Sequence, residues 1–128
     1  MHLTLGTVFH HALLFGRCRA VVSHGGAGTL LGGFGHELTQ LLLPQGADQF
    51  DNAQAAERTG AALSLTPEAV TPEAVTAAAR RLLEEPSFAA AARSIQAEIE
   101  AMPPAADVLA DLLADEALAL ALARTNSA

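Results

Sequence analysis

The most constraining stretch of this chain is Arg19–Ser23 (RAVVS), which runs directly into His24–Thr29 (HGGAGT). A short aliphatic run with that punctuation reads as a buried strand, a glycine-rich turn and the start of a helix. Gln40–Leu43 (QLLL) repeats the theme and is stopped by Pro44. Ala61–Leu65 is a third, shorter strand candidate. Aliphatic strands alternating with helices call for a parallel sheet covered by helices. The expected fold class is therefore α/β, and ligands of such sheets sit at the carboxyl ends of the strands.

Other elements follow from period and punctuation. Leu3–Phe9 reads as a strand, and His11–Arg17 as one or two helical turns. A helix is expected from about Gly28 to His36. Gln45–Gln49 is a loop. Phe50–Thr59 is a helix, with Gly60 placed for a left-handed end. Thr66–Val70 and Thr71–Val75 repeat TPEAV, each with Thr as N-cap and Pro at the first helical position. The second copy is expected to start a helix reaching Glu85. Another helix runs from Pro86 to about Ala101, where Pro103-Pro104 breaks it. The last covers Ala106–Ala123, with Leu109, Leu112, Leu113 and Leu120 near one face.

Composition sets the limits. The 128 residues suit one domain and exclude an enzyme that needs two. Residues 1–65 hold the sheet and the loops, and residues 66–128 a helical scaffold and tail. The net charge is −7, with no Lys, no Trp and no Tyr. Nucleic-acid binding wants a basic stripe with stacking partners, so that class is excluded. An anionic membrane surface is excluded by the same charge. Residues 1–60 carry a net −1 and residues 61–128 a net −6. All five histidines lie in the first 36 residues, so the chemistry belongs to the N-terminal half. Cys18 alone makes neither a disulfide framework nor a zinc cage. No membrane span and no secretory signal are visible, so a cytoplasmic location is expected.

The two loops have distinct chemistries. In His24–Thr29, glycines permit positive φ and close approach of the backbone to a ligand. Backbone N–H groups at the positive end of a helix make an anion site. His24 and Thr29 add side-chain donors. The plainer alternative is a tight strand-to-helix turn with no ligand. No Lys follows the glycines and G-x-G-x-x-G is absent, so the two common phosphate loops are excluded. HGG also resembles the oxyanion loop of lipase-like hydrolases, but none of Ser23, Ser64, Ser87, Ser94 or Ser127 sits in G-x-S-x-G. In Pro44–Ala53 (PQGADQFDNA), Asp48 and Gln49 pair an acceptor with an amide, which suits adjacent sugar hydroxyls. The plainer alternative is that Asp48 only caps the next helix.

AVVSHGGAGT followed by QLLLPQGADQFDNA resembles the C-terminal, donor-binding domain of GT-B glycosyltransferases. The nearest group is the bacterial macrolide and antibiotic glycosyltransferases, related to the UDP-glucuronosyltransferases. The likeness runs from about Arg17 to Leu122 and includes AEIEAMPPAADVLADL. It implies a partial Rossmann-like sheet, the C-terminal half of GT-B, with a helical tail. It implies that His24 bonds the donor diphosphate and that Gly25, Gly26, Ala27, Gly28 and Thr29 cradle it. It implies that Asp48 and Gln49 hold the sugar hydroxyls of a UDP- or TDP-sugar, with no metal and no cofactor. Plant relatives carry Glu where this chain has Gly32, which favours a thymidine donor. The reaction implied is inverting transfer of a hexosyl or deoxyhexosyl group to an acceptor hydroxyl of a natural product.

Departures from that pattern also matter. Glu37 and Thr39 stand where the family has Gly and Pro, so Glu37 is expected in a left-handed conformation at about 1 kcal/mol. His10 and Gly16 replace prolines. Leu3–Phe9 resembles the first strand of the same domain, with two strand–helix units missing near His10-His11. It would then lie parallel to Ala20–Ser23. The acceptor domain, with its histidine base, is not in the chain. His2, His10, His11 and His36 are substitutes by composition only, so no catalytic residue is assigned. The last helix has nothing to cross onto, and its leucines are expected to be exposed. Self-association or a separately encoded acceptor domain would cover them. The alternative functions are a non-catalytic nucleotide-sugar-binding or partner protein, or an inactive fragment.

Overall fold

The computed structural model describes residues 11–125. Three short strands form its sheet: β1 (Ala20–Ser23), β2 (Thr39–Leu42) and β3 (Ala62–Ser64). They are parallel, in the order β1-β2-β3. Ser23 pairs with Leu42, and Leu42 with Ser64, so the carboxyl ends of all three align at one pole. The ladder continues past the strands, where Leu43 N–H donates to Ser23 C=O (2.8 Å) and Leu65 N–H to Leu42 C=O (2.9 Å).

Among the described residues there are six α-helices, α1 (His11–Phe15), α2 (Ala27–Phe34), α3 (Gln49–Arg58), α4 (Pro72–Glu84), α5 (Pro86–Ala101) and α6 (Ala105–Thr125), of which α2 to α5 pack against the sheet. The central strand β2 is buried along its whole length. Its side chains alternate between two apolar clusters, as the period of a strand dictates. Leu42 packs with Leu30 and Phe34 of α2, Ala53 and Ala56 of α3, and Ala92 of α5. Leu41 packs on the other side with Ala78 and Leu82 of α4 and Phe88 of α5. With 29 alanines and few aromatics in the chain, helices approach the sheet through small side chains. Thr39 and Gln40 are the buried polar residues among those described, and Gln40 is fully enclosed. Its Nε2 donates to Leu30 C=O (2.8 Å) and its Oε1 is buried without a partner. A Cβ at Gly33 would stand 2.7 Å from that Nε2, so glycine there is what lets the amide fit.

Boundaries shift by a residue or two from the sequence reading, as they do for short elements. Gly60 is left-handed (φ 79°), as expected of a helix end. Glu37 is also left-handed (φ 59°), so the residue that replaced a glycine did not change the turn. Ala47 adopts φ 53°, which the sequence reading did not anticipate. The two TPEAV copies differ as expected. Thr71 Oγ1 accepts from Ala74 N–H (3.1 Å) and starts α4, whereas Pro67–Ala69 makes only a 3-10 turn. The tandem sequence is therefore one helix start preceded by a turn of the same composition.

One expectation is corrected. Arg19–Ser23 is expected to be a buried strand; the strand forms over Ala20–Ser23, but it is only partly buried and Val22 is 52% exposed. Among the described residues β1 pairs on its β2 side alone, so one edge has no neighbouring strand to flank it. The strand expected over Leu3–Phe9, and the junction near His10-His11, lie outside the described residues.

The exposed leucines of α6 are as expected. Leu109, Leu112, Leu113 and Leu120 are between 55% and 61% exposed, and no residue of the helix is buried. Leu118 and Leu122 are equally exposed, on the side that carries Asp107, Asp111 and Asp115. The apolar surface is thus broader than the single face read from sequence.

Candidate functional site

His24–Gly26 link β1 to α2, and Leu43–Asp48 link β2 to α3, so both loops emerge at the carboxyl pole of the sheet. The first loop is held by its own side chains. Ser23 Oγ accepts from Gly25 N–H (3.2 Å), and His24 Nδ1 accepts from Gly26 N–H (2.9 Å). Gly25 has φ 87°, which an L side chain resists. A Cβ on Gly26 would stand 2.5 Å from His24 Cε1, so the ring can lie over this backbone because position 26 has no side chain.

These two bonds divide the loop's donors. The N–H groups of Gly25 and Gly26 are spent on the shape of the loop. Those of Ala27, Gly28 and Thr29 form the first turn of α2, where no intrahelical partner exists. Leu30 N–H is the first to be paired, with Gly26 C=O at 3.0 Å. Helix α2 has no acidic residue in its first turn and no side-chain cap, so its positive end is uncompensated. In a neutral imidazole whose Nδ1 accepts, the proton sits on Nε2. His24 is exposed and presents that N–H as a donor.

The second loop is braced in a similar way. Gln49 Oε1 accepts from Gln45 N–H (2.9 Å), which fixes the amide's orientation and leaves Nε2 as the outward donor. Asp48 does not cap α3 with its carboxylate. Its Oδ2 instead accepts from Asn52 Nδ2 (3.3 Å), and the same Nδ2 donates to Gly25 C=O (3.0 Å). Asn52 therefore ties one loop to the other. The sequence reading quoted Asn52 within PQGADQFDNA but gave it no role. The signal was its i+4 spacing from Asp48, which puts both on one face of α3.

Two further positions of the sequence reading are resolved by geometry. A Cβ at Gly32 would meet Phe15 Cε2 at 3.0 Å, so a side chain there would need that ring to shift. His36 is engaged at the far end of α2, where its Nδ1 lies 2.8 Å from Gly32 C=O and its ring packs edge-on against Phe15. His36 is thus at the pole opposite the loops. His2 and His10 lie outside the described residues.

Among the described residues no helix is long and apolar enough to cross a membrane, and no group of three or more His, Cys, Asp or Glu could hold a metal ion.

Comparison with known proteins matches these features. Residues 4–115 fit the family model described as erythromycin biosynthesis protein CIII-like, C-terminal domain. The chain is 44% identical over 95 residues to the elloramycin glycosyltransferase ElmGT of Streptomyces olivaceus, covering 74% of this chain and 23% of that protein. It is 34% identical over 106 residues to the 3-alpha-mycarosylerythronolide B desosaminyl transferase of Saccharopolyspora erythraea, covering 83% and 25%. Among solved structures, the glycosyltransferase VinC in complex with DTDP superposes with a TM-score of 0.76 at 35% identity, covering 80% of this chain and 26% of that one. Spinosyn rhamnosyltransferase SpnG, complexed with thymidine diphosphate, gives 0.75 at 35% identity, covering 79% and 28%. The chain spans about a quarter of the length of the curated relatives it matches. With its parallel sheet, glycine turn and Asp-Gln loop in the arrangement described, the chain belongs to the erythromycin biosynthesis protein CIII-like C-terminal domain family, the glycosyltransferases of antibiotic biosynthesis.

Proposed function

We propose that this chain binds the diphosphate sugar donor, TDP- or UDP-linked, of an inverting glycosyltransferase. The observation that carries this is the pairing of two braced loops. One offers the free N–H groups of Ala27, Gly28 and Thr29 with His24 Nε2, and the other offers Asp48 and Gln49. Asn52 couples them directly. In this reading the first loop takes the diphosphate and the second the sugar hydroxyls. Gly32 in the place of a ribose-binding glutamate favours the thymidine donor.

As the bond from the anomeric carbon to the diphosphate breaks, negative charge grows on the leaving oxygen. The α2 amino end and His24 stabilise that charge without a metal, as preoriented dipoles do. The acceptor oxygen bonds the anomeric carbon from the opposite face, which inverts its configuration. Its proton goes to a general base.

Titration of the isotope-labelled chain with TDP and with UDP tests the reading. Amide shifts at Ala27–Thr29 are expected at millimolar nucleotide, and their absence sinks it. His24→Ala should weaken binding about tenfold, the worth of one hydrogen bond to a charged group. Binding without sugar transfer, when an acceptor domain is added, would favour a non-catalytic binding protein.

The exposed α6 leucines support a partner for this helix, either a second copy or an acceptor domain. Sedimentation at rising concentration should show self-association of the wild type. It should be reduced in the double variant Leu112→Glu, Leu113→Glu. A monomer at all concentrations rules out the second copy.

A further inference from the structure

Beside the Asp48–Gln49 loop the carboxyl ends of β2 and β3 diverge around a half-open cleft of about 340 Å³. Its lining is Leu43, Pro44, Gln45, Pro67 and Val70. Pro44 is buried and Leu43 half-buried, which makes an apolar floor. Pro67 and Val70 form the opposite wall. Val70 is 41% exposed. No charged residue lines the cleft, in a chain of net charge −7. Both walls are preformed. Pro44 and Pro67 fix their own φ angles, and Ala69 N–H closes the turn onto Thr66 C=O at 2.9 Å.

The cleft is continuous with the sugar loop through one residue. Gln45 lines the cleft, while its N–H donates to Gln49 Oε1 (2.9 Å). Whatever lies in the cleft therefore adjoins a sugar gripped by Asp48 and Gln49. The sugar is a poor occupant. Among the lining residues only Gln45 has a polar side chain, so the sugar's remaining hydroxyls would find few side-chain partners there. The volume lies at the lower end of the range for small-molecule sites and suits a ring system with apolar surface. The molecule that must approach the sugar and carries such a surface is the acceptor.

We infer that this cleft receives the apolar part of the acceptor, so that the donor-binding half takes part in selecting the aglycone. The inference rests on the donor reading above and extends it to a second ligand. The wall residue Val70 sets which apolar shapes fit, and Gln45 couples the fit to the sugar grip.

The test uses the full chain with labelled Leu and Val methyl groups, saturated with TDP, and aklavinone as the probe. Aklavinone is the aglycone that names one relative, the aklavinone 7-beta-L-rhodosaminyltransferase of Streptomyces galilaeus. Saturable shifts are expected at the Leu43 and Val70 methyls. Val70→Asp should weaken the probe at least tenfold and leave the TDP-induced shifts at Ala27–Thr29 in place. Shifts confined to the α6 leucines would overturn the inference, as would equal affinity in Val70→Asp. Shifts at Val70 caused by a thymidine-diphosphate sugar and not by aklavinone would assign the cleft to the sugar and overturn it too. The donor reading fails separately, on the Ala27–Thr29 amides with TDP alone.

Discussion

Asn52→Asp is expected to destabilise the fold by about 2–3 kcal/mol and to abolish TDP binding. Asn52 Nδ2 is the donor that faces two acceptors, Gly25 C=O at 3.0 Å and Asp48 Oδ2 at 3.3 Å. A carboxylate at position 52 has no proton to give either one, and it faces a carbonyl and another carboxylate. The loss should lower the melting temperature by roughly 10 °C or more. The defect should depend on pH with a definite sign. The introduced carboxyl is held protonated more readily in the folded chain than in the unfolded one, so the folded state binds more protons. Stability of the variant relative to wild type therefore rises as pH falls towards about 4 and is worst near neutrality. Asn52→Leu, which loses the donor but adds no charge, should cost less and show no such pH dependence. Thermal melts from pH 4 to 8 with TDP titrations check both variants, and equal melting curves for wild type and Asn52→Asp would refute the bridge.

Leu42→Ala should be the most damaging single truncation, at about 2–5 kcal/mol. Leu42 is 0% exposed on the central strand and touches residues from three helices. Several of its neighbours are alanines, which have no length with which to fill the space left behind. A native stability of about 5–15 kcal/mol leaves little margin for such a cavity. The damage should reach the site as well. A Cβ on Gly25 would lie 4.0 Å from Leu42 Cβ, so this side chain is the floor beneath the glycine turn. Urea unfolding should show the midpoint falling sharply, and TDP affinity should fall in the fraction still folded. Leu120→Ala on exposed α6 is the control and should change monomer stability by no more than about 0.5 kcal/mol.

The site was legible in sequence to an uneven degree. His24–Thr29 and Asp48-Gln49 stand out in the sequence because they put unusual residues in a fixed order after a strand. Their placement at one pole followed from parallel topology alone. The division of labour inside the first loop was not legible. Whether a glycine N–H points at a ligand or at its own Ser or His depends on φ, ψ and ring rotamer, none of which composition encodes. Asn52 was passed over for a related reason. An asparagine on a helix is ordinary until a second loop brings a carbonyl to its amide.

The fold shows the same split. The second TPEAV was chosen as the helix start because an apolar helical pattern follows it, and the structure agrees. The burial expected of β1 held only in part, because a strand is covered where neighbours flank it, and among the described residues β1 pairs with β2 alone. Ala47 in a left-handed turn was invisible, since alanine carries no signal for φ of 53°.

By itself, then, the sequence determined the strand–turn–helix order and the family, because each is written in local residue types and spacing. Only the tertiary structure decided which donors are free, that Asn52 joins the loops, and that Phe15 fills the space beside Gly32. It also set a neutral apolar cleft against the sugar loop. Those are relations between segments distant in the chain, and they exist only once packing against β2 has brought the segments together.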